Sequence, residues 1–197
     1  MYAVVAMVVG FGLGLATGGR IRHLGERSFH WVGLLLVGVG LQVATSVVHL
    51  PRVADEAMVL ASYVVLAAFA ASNLRLTGMG VVLVGLALNF APIALDGGMP
   101  VRASAIVRAG IVKRADQVAH LSFGGKRHLE RPSDRLTGLA DILPDWVFHE
   151  VLSFGDLVMS VGIAAVCANL LRRPRGGATQ AEVQPAPARD GDRRRNG

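Results

Sequence analysis

The chain has a single cysteine, Cys167, among 197 residues, so it can form no intrachain disulfide and contains no paired-cysteine metal motif. Charge is also scarce: Asp, Glu, Lys and Arg make up 17% of the chain, where an ordinary soluble domain carries about 25%. Aromatic residues are only 6%, which argues against a core built around large rings. No basic residue precedes the first apolar stretch and no convincing small-residue cleavage site follows it, so that stretch is expected to be a retained helix rather than a secretory signal. No repeat of domain-like length is visible, which counts against the internal duplication found in many transporters.

What the chain does have is apolar residues, at 52%, and 24 glycines, with a mean hydropathy of +0.48. That balance suits helices packed closely in lipid, where small residues let backbones approach one another. The formal charge of +6 and pI near 10.6 could mark a nucleic-acid binder, but the charges lie between and after the apolar segments. Arg193, Arg194 and Arg195 end a Pro- and Ala-containing tail, read as a disordered cytoplasmic tail over 172–197 that follows the positive-inside rule. No nucleic-acid partner is expected.

Five apolar stretches, at about 2–17, 31–50, 58–74, 79–95 and 151–171, approach the length needed to cross about 30 Å of hydrocarbon at about 1.5 Å per residue, the first being short. The expected fold is therefore all-α: an integral membrane bundle of about five transmembrane helices, with residues 96–150 forming a long extracytoplasmic loop that contains short amphipathic helices. Orientation follows from the connections. Arg20, Arg22, Arg27, Arg75 and the Arg172-Arg173-Pro174-Arg175 start of the tail mark one side as cytoplasmic. Asp55 and Glu56 against Arg52, and a long loop whose eight basic and seven acidic residues nearly cancel, mark the other as outside. The N-terminus is then outside and the C-terminus inside.

Ala6, Gly10, Gly14 and Gly18 form a small-residue stripe, expected to be a helix-packing face. The Gly10-Phe-Gly-Leu-Gly14 string resembles a dinucleotide-binding turn only superficially, because it lies inside an apolar helix. In the loop, Ser104 is placed to cap a short helix through Val107, Arg108 and Ile111. Ser133 with Asp134 is placed to start another through Leu136, Leu139, Ile142 and Leu143, ending at Pro144, with Gly124 and Gly125 turning between the two.

Polar residues gather in one half of three helices. The second has Gln42, Thr45, Ser46 and His49 on one face; the fourth has Asn89 and Pro92 approaching Asp96; the fifth has Ser153, Asp156 and Ser160. An ionised aspartate in hydrocarbon costs about 2.5 to 3.5 kcal/mol unless it finds partners or water, so Asp156 is expected to face inward. The expected site is an outer-leaflet polar pocket of Gln42, His49, Asn89, Asp96, Ser153, Asp156 and Ser160, for ligand binding or structural anchoring. His128, Thr137 and Asp141 are loop candidates. His120, His128, His149, Asp141 and Glu150 have no diagnostic metal-binding spacing, and Ser153, His128 and Asp141 lack a nucleophile elbow, so no metal, cofactor or hydrolytic triad is expected.

In their order, Asn89-Phe-Ala-Pro-Ile-Ala, Gly97-Gly-Met-Pro-Val, His128-Leu, Leu136-Thr137-Gly-Leu-Ala-Asp141-Ile-Leu-Pro144 and Ser153-Phe-Gly-Asp156 resemble an uncharacterised family of bacterial multi-pass membrane proteins, domain of unknown function 5317. The similarity runs from the first helix through the fifth, with Phe154 where the family has isoleucine. The resemblance implies a membrane location and carries no reaction, substrate or cofactor. The leading expectation is a non-catalytic protein of the bacterial cell membrane that binds a ligand, lipid or envelope partner at its outer face or associates with itself through helix packing. The alternatives are a small proton-coupled transporter and a membrane-embedded enzyme acting on a lipid-linked substrate, with Asp156, Asp141 and His128 as its acid-base groups.

Overall fold

Helices form where the apolar runs lie, and their ends are set by proline, glycine and serine. The computed structural model describes residues 1–172 apart from 27, 49, 50, 122, 124 and 125. The expectations for His49, for the Gly124–Gly125 turn and for the tail beyond Arg172 lie outside the described residues. The chain is mostly helical. Its long helices are α1 (Tyr2–Ala16), α2 (Val32–Val47), α3 (Arg52–Ser72), α4 (Met79–Asp96) and, after a short α5 (Ala103–Arg108), α6 (Phe154–Leu170). Among them α3 and α4 are long and apolar enough to cross a membrane, whereas α1, α2 and α6 are apolar but shorter.

The third helix starts six residues before the expected Met58, with Arg52, Asp55 and Glu56 inside its first turns. Pro51, at φ −55°, needs no amide hydrogen bond at a helix start, and Asp55 suits the positive end of the helix dipole. At the other end of the next helix, Gly97 adopts φ +67° and closes α4 with a left-handed cap.

The helices stand in a row, α2–α3–α4–α6–α1, in which each packs mainly on its neighbours. Small residues decide the spacing. Ala6, Gly10 and Gly14 are buried on α1, where a Cβ on Gly10 would collide with the Ala164 backbone of α6. Gly18 does not continue this stripe: it adopts φ +87° just past the helix and has no close neighbour. Between α4 and α6, a Cβ on Gly85 would meet Met159 N at 2.6 Å, and one on Gly162 would meet Val82 N at 2.6 Å. At one end of the helix axes the Asn73 amide brackets the His30 backbone, accepting from its N–H at 2.8 Å and donating to its C=O at 2.9 Å. The C-terminal ends of α1 and α6 are joined through Arg20 N–H to Leu171 O at 2.8 Å.

The opposite end carries residues 97–152, folded as a cap with its own core of Val101, Ala105, Ile106, Ala109, Val118 and Val151. Strand β1 (Met99–Val101) pairs in parallel with β2 (Arg127–Leu129), and β3 (Leu143–Asp145) pairs antiparallel with β4 (Glu150–Leu152). These strands correct the all-α expectation. The first loop helix is α5, flanked by Arg102 rather than capped by Ser104, and it stops before Ile111 because Gly110 turns the chain at φ +73°. The second expected helix, from Ser133 to Leu143, does not form. The carboxylate of Asp96 accepts from the amides of Arg135 (2.9 Å) and Leu136 (3.4 Å), and Asp134 turns back to Arg131 N–H at 2.7 Å. Pro144, expected to end that helix, sits in β3 opposite Val151.

Candidate functional site

Where α6 begins, a three-residue motif builds a closed polar ring. Ser153 is the N-cap: its Oγ accepts from Asp156 N–H at 3.0 Å, and Asp156 Oδ2 accepts from Ser153 N–H at 3.2 Å, a reciprocal capping box. Asn89 on α4 joins both members. Its Nδ2 donates to Asp156 Oδ1 at 2.8 Å and its Oδ1 accepts from Ser153 Oγ at 2.7 Å. Ser153 and Asn89 are buried completely, and Tyr63 of α3 lies buried within interaction range of Asn89 and Asp156. The ring exists because Gly155 has no side chain: a Cβ there would overlap the Asn89 amide. It also lies beside the turn occupied by Pro92, which is itself buried.

Of the expected pocket residues that the structure describes, Asn89, Ser153 and Asp156 come together, and Gln42, Asp96 and Ser160 do not join them. Gln42 lies on α2, which packs on α3 at the far side of the row, and its backbone carbonyl accepts the hydroxyls of Thr45 and Ser46. The three-helix pocket is thus corrected to a two-helix seam between α4 and α6. Ser160, one turn beyond Asp156, is half-buried and outside the ring. Asp96 anchors the cap through Arg135 and Leu136, and the Thr137 carbonyl accepts from the Arg102 guanidinium at 3.4 Å.

His128 and Asp141 belong to a second polar cluster, in the cap. His128 Nε2 lies 3.1 Å from Asp134 Oδ2, both side chains being buried. Asp141 is 1% exposed, and its backbone is tied to β1 through Pro100 O and Arg102 N–H. Arg127 Nε stands 2.8 Å from Asp141 Oδ2 without pointing its N–H along that line, so neither carboxylate oxygen receives an aligned hydrogen bond among the described residues. Burial pushes the Asp141 carboxyl up to about 7, against the opposing pull of Arg127. Burial also lowers the neighbouring Lys126 amine, and the Arg127 charge adds to that. Arg127 and Lys126 escaped sequence reasoning, and Asp134 was read only as part of a helix start; the near-balance of acids and bases in the loop was the one sign that its charges would pair.

Each group an acid-base mechanism would combine has a partner of its own. Asp156 is held by Asn89 and Ser153, Asp141 by Arg127, and His128 Nε2 lies against Asp134. Among the described residues no hydrogen bond joins Ser153, His128 and Asp141 as a triad would require. Nor do His120, His128, His149, Asp141 and Glu150 converge: among the described residues no three His, Cys, Asp or Glu side chains are grouped to hold a metal ion. The cap does contain a cavity of about 210 Å³, lined by Val101, Ile106, Ile111, Leu121, Phe123 and Val151 together with Arg127, His149 and Glu150.

The ring and the whole of the cap fall inside a recognisable sequence family. The model of a family of unknown function, DUF5317, matches residues 26–168. The chain belongs to this family. The match begins after α1, so it is shorter than the similarity expected from the first helix onward, yet it includes Asn89, Asp141, Ser153 and Asp156. No curated protein and no solved structure matches the chain.

Proposed function

We propose that this is a multi-pass protein of the bacterial cell membrane in which α1, α2, α3, α4 and α6 all cross the bilayer, with the N-terminus outside and the C-terminus in the cytoplasm. Its role in this reading is non-catalytic binding at the outer face. Large apolar side chains left exposed along α1 and α2, among them Val4, Val8, Leu13, Leu36, Val39 and Val43, support a lipid surrounding. The shorter helices, 15 to 17 residues, reach about 22 to 26 Å at about 1.5 Å per residue, a mismatch that local bilayer thinning accommodates.

The observation that carries the binding role is the division of labour between the ring and the cap. Asn89, Ser153 and Asp156 are engaged with one another, so the ring acts as a clamp between α4 and α6. The cap, by contrast, keeps a cavity of about 210 Å³ whose apolar lining is joined by Arg127, His149 and Glu150. Its occupant is a small apolar molecule, or the apolar part of a lipid or partner. Alkaline phosphatase inserted after Lys113 is expected to be active and a green fluorescent protein fused after Arg172 to fluoresce; the reverse pattern overturns the orientation. Native mass spectrometry of protein extracted from its membrane is expected to detect a retained small molecule that Ile106→Trp expels. Identical spectra for the two proteins overturn the binding role.

A further inference from the structure

We infer that the β3–β4 hairpin is an interfacial membrane anchor, its Trp146-Val147-Phe148 tip seated among the phospholipid headgroups and upper acyl chains of the outer leaflet. The inference rests on the membrane reading above and deepens it. The tip is apolar and uncovered: Trp146 is 76% exposed, Val147 57% and Phe148 36%. A free turn of that composition in water would expose aromatic surface with no compensating partner.

Asp145 makes the tip a defined shape. Its Oδ1 accepts from the amides of Val147 at 2.7 Å and Phe148 at 3.3 Å, which folds the turn. Its Oδ2 accepts the Tyr2 hydroxyl at 2.6 Å, and the Tyr2 ring meets Phe148 edge-on at 5.7 Å. Tyr2 is the first residue of α1, so the hairpin is fastened to the outer end of an apolar helix and is continuous with that helix's exposed Val4, Val5 and Val8. Tryptophan and tyrosine at the end of an apolar span sit where hydrocarbon meets headgroups, because one part of each ring system is apolar and the other forms hydrogen bonds. The chain's other tryptophan, Trp31, is 71% exposed at the opposite end of the row, at the start of α2. The two tryptophans thus bracket the helices.

The two tryptophans also make the test direct. Full-length Trp31→Phe leaves Trp146 as the sole tryptophan, and Trp146→Phe leaves Trp31. Each is reconstituted into phosphatidylcholine–phosphatidylglycerol vesicles containing lipids brominated at shallow or deep acyl positions. Trp146 emission is expected to fall about twofold with shallow bromines and less with deep ones, as an interfacial indole requires. Asp145→Ala in the Trp31→Phe background is expected to weaken that quenching by releasing the turn from Tyr2. Trp146 unquenched by bromine while Trp31 is quenched overturns the anchor and leaves the membrane reading standing, whether iodide shows the tip in water or its absence of effect shows a covering protein. Neither tryptophan quenched removes the membrane reading with it.

Discussion

The α4–α6 seam and the cap both bury polar side chains, and they do it in opposite ways. In the seam, Asn89, Ser153 and Asp156 close a ring in which donors and acceptors are matched. In the cap, Arg127 and Asp141 are paired by charge at 2.8 Å but poorly aligned, so the buried carboxyl keeps much of its desolvation cost. The ring satisfies its members' hydrogen bonds, whereas the misaligned pair leaves the Asp141 carboxyl poised near neutrality. The first arrangement suits a permanent clamp, the second a region whose stability varies with pH.

The largest expected effect tests whether the seam depends on close approach. Gly155→Leu should destabilise the protein by about 3 kcal/mol or prevent accumulation, since the added side chain must displace Asn89 from buried, well-packed surroundings. Recovery from membranes and thermal unfolding in detergent would measure it, and a protein of unchanged stability would mean the ring is not a tight contact. Next, Asp156→Ala removes a capping-box partner and strands the Asn89 amide, for an expected loss of about 2 kcal/mol. If recovery and unfolding stay normal while binding at the outer face is lost, the ring is a ligand site and the clamp assignment fails.

The remaining effect belongs to the cap and concerns its pH dependence. The folded state holds the Asp141 proton up to about pH 7, whereas an unfolded aspartate releases it near 3.8. Between those values the folded state binds more protons, so its stability falls as pH rises through the window and levels off above about 7. Melting followed from pH 5 to 8 should show this fall in the wild type and a flatter profile in Asp141→Asn. Identical profiles would remove the contrast between the two regions.

Much of this was legible in the residues themselves. Asn89, Ser153 and Asp156 stood out because polar groups interrupt apolar helices only where something satisfies them, but the apolar run from 151 hid that Ser153 caps the helix rather than lying within it. Gln42 stood out for the same reason, yet periodicity specifies a face and not the neighbour it meets, and the row puts α2 beside α3. The cap was less readable. Its strands are three residues long, too short to display alternation, and the helix expected from Ser133 was lost to Asp96, a competitor 37 residues earlier in the chain.

The amino-acid order alone determined where helices form, which of their faces carry small or polar residues, and how α6 is capped, because those properties depend on neighbours within about one turn. The partnering of α4 with α6, the closing of the Asn89 ring over Gly155, the burial of Asp141 and the fastening of the Trp146 hairpin to Tyr2 were decided by the tertiary structure. Each joins residues distant in the chain, and the energy of such a contact exists only once packing has brought both partners out of solvent.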